Sequence, residues 1–336
     1  MKINEKPIAL MVCAMLVAAV LTGCGQGPEA TEGGEGLARI RVILDWTPNT
    51  NHTGMYVALE KGWFEELGLA VEFVQPPEMG GVVLVGAGNA EIVVTFQEEM
   101  GPAIAAANPI PITAIAAILQ HNTSGIMSLA ETGISSPRDL EGKMFAYWGT
   151  DLVTEIMRHI MEADGGDFGE LNMVVDFATD AISALKTRFD AIWVFYGWDA
   201  IAAGLAGIEY NYIDLGAIEP LFDFYSPVLA ANDTWLAENP DLARAFLDAA
   251  SRGYAFAMEN PVEAGEILLR HAPELNRELV MASQLFLAGE YQANAARWGE
   301  FDEERWARFY HWMYGRGLLA RNIGAGGFTN EFLPPI

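Results

Sequence analysis

Apolar runs of strand length alternate with amphipathic stretches along most of this chain. Residues 39–46 are largely apolar and stop at Asp45-Trp46. A polar loop, Thr47-Pro48-Asn49-Thr50-Asn51-His52, follows. Over 53–67 the apolar residues Tyr56, Leu59, Trp63 and Phe64 recur at helical spacing, with Gly62 a tolerated interruption. The pattern repeats as strand 69–74, ended by Pro76-Pro77, helix 80–86, strand 91–95, helix 100–107 and strand 112–119. Such alternation predicts a mainly parallel sheet covered by helices. Around 121–131 the chain leaves this series. A capped turn over Ser136-Pro137-Arg138-Asp139-Leu140 then opens a second one: strand 144–148, helix 153–163, strand 173–177, helix 181–188 and strand 191–195. Residues 225–231 read as a returning strand. Beyond Asp233 the chain is helical, with Asn232-Asp233-Thr234 and Asn239-Pro240-Asp241 as N-terminal caps. Leu242, Ala245, Phe246 and Ala249 form one core stripe; Trp306, Phe309, Tyr310 and Met313 form another.

The N-terminus departs from this pattern. Lys2 and Lys6 precede an apolar run over 8–21, shorter than the ~20 residues a spanning helix needs. The run meets Leu21-Thr22-Gly23-Cys24, which looks like a bacterial lipobox: residues 1–23 are expected to be a signal, with Cys24 lipidated. The cysteines are Cys13 and Cys24, so a mature chain starting at Cys24 holds no internal disulfide, and a packed core must stabilise it. Residues 24–38, rich in Gly, Glu, Thr and Ala, read as a flexible tether. A formal charge of -26 argues against nucleic acid, since no basic footprint exists to neutralise phosphate. It also leaves membrane attachment to the lipid alone.

Enzyme signatures are mostly missing. Gly86-Ala87-Gly88 has Glu91 where a dinucleotide fingerprint needs its third glycine, no Gly-Lys-Ser/Thr loop exists, and no histidines pair at metal-ligand spacing. Chemistry collects instead at strand ends. The clusters are Asp45-Trp46 with Asn49 and His52; Phe96-Gln97-Glu98-Glu99; Gln120-His121-Asn122; Tyr147-Trp148-Gly149; Phe195-Tyr196-Gly197-Trp198-Asp199; and Phe224-Tyr225-Ser226-Pro227. Loops at the carboxyl ends of α/β strands are where such sheets bind ligands. Each cluster alone reads equally as an ordinary turn with a core aromatic. Together, their aromatic faces, amides and carboxylates suit a flat heterocycle with polar edges.

Leu44-Asp45-Trp46-Thr47-Pro48-Asn49-Thr50-Asn51-His52-Thr53-Gly54 resembles the opening of the thiamine-pyrimidine-precursor binding proteins of bacterial importers, in the wider NMT1/THI5-like group. So do Gln75-Pro76-Pro77-Glu78, Gln120-His121-Asn122-Thr123-Ser124-Gly125, Phe195-Tyr196-Gly197-Trp198 and Phe328-Thr329-Asn330-Glu331-Phe332. The resemblance implies a two-lobed, type II periplasmic-binding-protein fold, each lobe a mainly parallel sheet flanked by helices. Residues 39–128 with 226–336 would form lobe 1, and 129–225 lobe 2. It further implies a monomeric solute-binding subunit serving an ABC permease and its ATPase, extracytoplasmic, without cofactor, metal or catalysis. An aminopyrimidine would stack on Trp46, Tyr147, Trp148, Tyr196, Trp198 or Tyr225. Its amine would donate to Asp45, Glu98 or Asp199, and its ring nitrogens would be served by Asn49, Gln97 or Asn122. His52 and Gly149 complete the loops. Fungal pyrimidine synthases share the fold, but their catalytic lysine and histidine align here with Thr95 and Glu99, and Phe222-Asp223-Phe224-Tyr225 stands in their cysteine-rich segment. Riboflavin binders remain an alternative. The helix containing Gly81-Val82-Val83-Leu84-Val85 is unusually apolar for the group.

Overall fold

The computed structural model describes residues 36–77, 80–176 and 180–336. The expected signal, Cys24 and nearly all of the tether lie outside the described residues, as do Glu78 and Phe177. Ten strands among the described residues build two five-stranded sheets. The first sheet holds β1 (Ala38–Ile43), β2 (Leu69–Val74), β3 (Ile92–Thr95) and β4 (Ile112–Ala117). The second holds β5 (Ser124–Leu129), β6 (Met144–Tyr147), β7 (Asn172–Val175), β8 (Ala191–Phe195) and β9 (Tyr210–Asp214). β10 (Val228–Asn232) then returns to the first.

The strand orders are β2-β1-β3-β10-β4 and β7-β6-β8-β5-β9. In each, three neighbours run parallel and one strand lies antiparallel between the third and the fifth. The antiparallel members, β10 and β5, are the strands that enter each sheet from the other. The sequence placed the change of lobe at 128/129, inside β5. Pairing of Ser124 with Phe195 and of Gly125 with Asp214 moves it to the segment before Ser124. Both β5 and β9 escaped the sequence reading. β5 is Gly- and Ser-containing, and neither strand is followed directly by a long helix that would mark a βα unit.

The helices of the first series are α1 (Thr53–Glu60), α2 (Trp63–Glu66), α3 (Gly81–Gly86) and α4 (Gln97–Ala105). Gly62, at φ 73°, does break the expected 53–67 helix into α1 and α2, because the left-handed turn suits glycine. The second series has α5 (Asp151–Ala163), α6 (Ala181–Thr187), α7 (Ile201–Leu205) and α8 (Leu215–Ile218). The chain ends with α9 (Asp233–Glu238), α10 (Pro240–Glu259), α11 (Pro261–His271), α12 (Arg277–Glu290) and α13 (Glu303–Gly315), most of which cover the first sheet. No described helix is long and apolar enough to cross a membrane.

α1 and α10 cross with their backbones in contact. A Cβ built on Gly253 would lie 1.9 Å from the Gly54 carbonyl oxygen. That closeness lets Tyr254 of α10 donate to the Asn51 carbonyl at 2.7 Å. Tyr291, just past α12, donates to the Thr50 carbonyl at 2.6 Å. Both tyrosines are fully buried. The polar loop after β1 is therefore held from behind by the C-terminal helices, and the side chains at its start are fixed in front.

Candidate functional site

A cavity of about 960 Å³ lies between the sheets, lined from both. Its walls come from the carboxyl ends of β1, β3, β6, β7 and β8 and from the crossing segments beside β5 and β10. This is the edge where parallel strands present loop side chains and helix N-termini together.

From the first sheet come Asp45, Trp46 and Asn49. Asp45 is fixed by His52, whose Nε2 lies 2.6 Å from Asp45 Oδ1. His52 Nδ1 accepts the Asn49 N–H at 3.2 Å, so the ring proton sits on Nε2 and is donated to the carboxylate. Asn49 spends its own amide on the loop: Oδ1 accepts from the Asn51 N–H at 2.9 Å and Nδ2 donates to the Thr47 carbonyl at 3.1 Å. α4 begins three residues earlier than the sequence suggested, which puts Glu98 and Glu99 in its first turn. Both reach the cavity. Glu98 Oε2 is shielded from solvent and has no hydrogen-bond partner, as is also true of Ser226 Oγ. Burial pushes the Glu98 carboxyl up to about 8. Its own backbone N–H pulls against this, the Glu99 charge adds to it, and the nearby Ser226 hydroxyl opposes it. The Glu99 carboxyl is raised as well, by desolvation and by Asp45, against a 3.1 Å hydrogen bond from Thr95 Oγ1.

The second sheet supplies mostly rings. Tyr147 and Trp148 follow β6, and Trp198 and Asp199 lie in a five-residue π-turn, Tyr196–Ala200, that follows β8. π-turns of this kind often mark functional positions. Trp148 stacks one face on Phe195, with centroids 5.9 Å apart and planes at 19°, and is 38% exposed. Trp46, on the opposite lobe, is 47% exposed. Asp199 accepts the Phe195 N–H at 3.2 Å, and burial pushes its carboxyl up to about 6.

Six of the residues expected from sequence do not line the cavity. His52 is fully buried behind Asp45 and acts on the site only through it. Gln97 faces inward, where Oε1 accepts from the Tyr225 N–H at 2.9 Å and Nε2 donates to the Trp306 carbonyl at 3.1 Å. Asn122 is a crossing-segment brace: Nδ2 donates to the Phe222 carbonyl at 2.8 Å, and Oδ1 accepts from the Ser124 N–H. Gly149 supplies a φ of 78° beside Val175 and offers no side chain. Tyr196 is taken up by Tyr212 and Phe286, at 5.1 and 4.9 Å between centroids. Tyr225 is buried, its hydroxyl accepting from the Asp302 N–H at 2.7 Å and its ring covered by Arg305 at 4.0 Å. In His52, Gln97, Asn122 and Tyr225 the polar group is spent on the protein itself, which spacing along the chain does not reveal.

Trp193 and Asp151 line the cavity without having been expected there, and Phe195 and Glu99, members of the strand-end clusters, line it as well. Trp193 shares one face of β8 with Phe195, a period-two signal that the sequence reading did not use. Asp151 sits at the start of α5, where Thr150 caps the Val153 N–H. Lys, Arg, His and Cys are all absent from the described lining residues. Nor do the described residues include a group of three or more His, Cys, Asp or Glu that could hold a metal ion.

Two five-stranded mixed sheets facing a shared cleft define the periplasmic-binding-protein class of fold. The aliphatic sulphonate binding protein SsuA of Escherichia coli superposes with a TM-score of 0.67 at 15% identity, covering 85% of this chain and 95% of that one. Residues 49–264 match the NMT1/THI5 like family, and the chain belongs to that family. A formylaminopyrimidine-binding protein of Halalkalibacterium halodurans is 29% identical over 330 residues, 95% of this chain and 96% of its own. A 4-amino-5-hydroxymethyl-2-methylpyrimidine phosphate synthase of Legionella pneumophila is 26% identical over 257 residues, 72% of this chain and 76% of its own. The riboflavin-binding protein RibY of Chloroflexus aurantiacus is 24% identical over 311 residues, 89% of this chain and 87% of its own.

Proposed function

We propose that this protein is the solute-binding subunit of an ABC importer and captures a thiamine pyrimidine precursor of the formylaminopyrimidine or hydroxymethylpyrimidine type. It works outside the cytoplasm, tethered through a lipid on Cys24, and does not transform its ligand. The observation that carries the ligand class is Glu98: a solvent-shielded carboxyl, open to the cleft, with one oxygen unpartnered and its pKa pushed up to about 8. At neutral pH such a group presents an O–H donor beside a C=O acceptor. An aminopyrimidine offers the matching pair, a ring nitrogen beside an exocyclic amine. Trp148, backed by Phe195, presents a flat face for the ring.

The similarity in family and length to a formylaminopyrimidine-binding protein supports the same reading. Sulfonates and other anions fit poorly, because no lysine or arginine lines the described cleft. A synthase role is disfavoured by the same walls, which carry neither histidine, lysine nor cysteine to supply a nucleophile or base of that kind. Riboflavin has one observation in its favour, a cavity of about 960 Å³ with room for a larger ring system.

Calorimetric titration of the mature protein with formylaminopyrimidine, hydroxymethylpyrimidine and riboflavin tests the reading. Saturable binding of a pyrimidine without turnover is expected. Riboflavin binding with no pyrimidine response would overturn the ligand class and leave the transport role standing. Released product would overturn the binding role itself. Cys24→Ser should free the protein from the membrane or leave it unprocessed; a processed, membrane-bound variant contradicts the lipid tether.

A further inference from the structure

One buried hydroxyl joins a cavity loop of the first lobe to a cavity loop of the second. Ser283 lies on α12, on the face it shares with Phe286 and Leu287 at i+3 and i+4. That face rests on the π-turn after β8. Phe286 meets the Tyr196 ring with centroids 4.9 Å apart, and a Cβ built on Gly197 would lie 3.1 Å from Leu287 Cδ2. Glycine at 197 thus lets the helix come down close on the turn. Ser283 Oγ donates to the Gly197 carbonyl and lies 2.6 Å from Thr50 Oγ1. Thr50 and Gly197 both line the cavity, whereas Ser283 is fully buried and does not.

The direction of these bonds is forced. A carbonyl only accepts, so the single Ser283 proton goes to Gly197, and Thr50 must give its own proton to Ser283 Oγ. Thr50 is itself tied down, because Tyr291 donates to its carbonyl at 2.6 Å. A polarised chain of hydrogen bonds therefore runs from the β1 loop through α12 to the π-turn, with Thr50, Ser283 and Gly197 all buried. Each end leads to a cavity group. Thr50 stands two residues before His52, which fixes Asp45, and Gly197 immediately precedes Trp198 and Asp199.

We infer that Ser283 is a positioning residue for ligand binding: it sets the spacing between the β1 loop and the π-turn, and so where Trp198 and Asp199 stand relative to Asp45. It acts through those loops and touches no ligand. The tie is to the backbone of the turn, which leaves the rings of the second lobe free to settle on what is bound. The inference rests on the cleft being the ligand site, and the titrations that test it rest on the pyrimidine reading above.

Two readouts test it on the mature protein. In the first, tryptophan is replaced by 5-fluorotryptophan and followed by fluorine NMR without ligand, the Trp198 resonance being identified by its loss in Trp198→Phe. Ser283→Ala should shift or broaden that resonance and leave the one from Trp63, which packs on Phe256 and Arg252 in α10, where it is. In the second, calorimetry with hydroxymethylpyrimidine should show Ser283→Ala weakening binding about tenfold, but costing little once Trp198→Ala has removed the ring it positions. A merely structural serine would cost the same affinity in both backgrounds. Where Ser283→Ala does not fold, Thr50→Val, which keeps the shape and removes the donor to Ser283, decides in the same two readouts. An unmoved Trp198 resonance, or an affinity loss independent of Trp198, would overturn the inference. If the unsubstituted protein binds no pyrimidine, the pyrimidine reading fails, while the Trp198 resonance still decides for or against Ser283.

Discussion

The two lobes share one strand order and use it differently. In the first, the cleft side chains stand on a base that is tied down from behind. Tyr254 and Tyr291 hold the carbonyls of the β1 loop, His52 orients Asp45, and Gln97 locks the start of α4 to the returning segment. In the second, the cleft is lined by rings at the ends of β6 and β8, with Trp148 lying over Phe195 and the π-turn presenting Trp198 and Asp199. One topology has been furnished once for fixed polar geometry and once for adaptable stacking surface. A ligand clamped between them would be recognised by hydrogen bonds on one side and by area and charge on the other.

The largest effect should come from disturbing the fixed base. Gly253→Ala places a methyl against the Gly54 carbonyl, 1.9 Å from the ideal Cβ, and α1 and α10 must separate. Overpacking of this kind costs about 3 kcal/mol or more, read as a fall in thermal midpoint. The matching change in the second lobe, Gly204→Ala in α7, meets nothing within 4 Å. Replacing a helical glycine by alanine there should stabilise by up to about 1 kcal/mol. Equal destabilisation by both would contradict the contrast between the lobes.

Next in size are the ligand contacts. Glu98→Leu keeps much of the volume but removes both the O–H donor and the C=O acceptor, and aminopyrimidine affinity should fall about a hundredfold. Trp148→Leu removes a stacking face and should cost about tenfold. If the tryptophan change is the more damaging, recognition lies in the aromatic lobe and the division of labour is reversed.

The smallest effect sits at the crossing segments that join the lobes. His121 Nδ1 lies 2.7 Å from Asp223 Oδ2, and its Nε2 lies 2.9 Å from Asn294 Oδ1. Arg305 donates to the Asp223 carbonyl at 2.6 Å and also to the Gln120 carbonyl, tying both segments to α13. The hydrogen bond donated to Asp223 raises the His121 pKa above 6.5, against its desolvation. Burial opposes ionisation of Asp223, but His121 and Arg305 together take its pKa below 3.8. The histidine's contribution is complete below its unfolded value and is lost as pH rises through the folded one. The aspartate's is complete above its unfolded value and is lost as pH falls through the folded one. The pair should therefore stabilise most between about pH 4 and 6.5, and His121→Gln should lower the thermal midpoint most within that window and flatten its decline above it. An unchanged pH profile would mean the crossing segments are held by Arg305 alone.

Much of this fold was legible because the β1–β4 series and the β6–β8 series are regular strand-helix alternations. β8 was placed to the residue. What escaped is tertiary in origin. β5 and β9 are edge and crossing strands whose partners, not their composition, make them strands. At the site, chain pattern identified loops that carry polar and aromatic groups but not which way each group turns. Asp45, Glu98 and Trp148 face the cavity, while Gln97 and Asn122, equally polar and equally well spaced, are consumed by backbone groups. Burial partners of that kind come from α13 and from the 222–225 segment, 100 or more positions away for each.

The most direct measurement of the central claim is the carboxyl titration of Glu98 by carbon-13 NMR, with and without hydroxymethylpyrimidine. A folded value of about 8 against an ordinary 4.5 means that the folded protein keeps a proton the unfolded chain releases, so this group costs stability as pH rises across that interval. A single carboxyl titrating near 8, absent from Glu98→Gln and shifted when the pyrimidine is added, is the predicted result. If every glutamate carboxyl titrates in the ordinary range and none responds to the ligand, Glu98 does not read the pyrimidine edge.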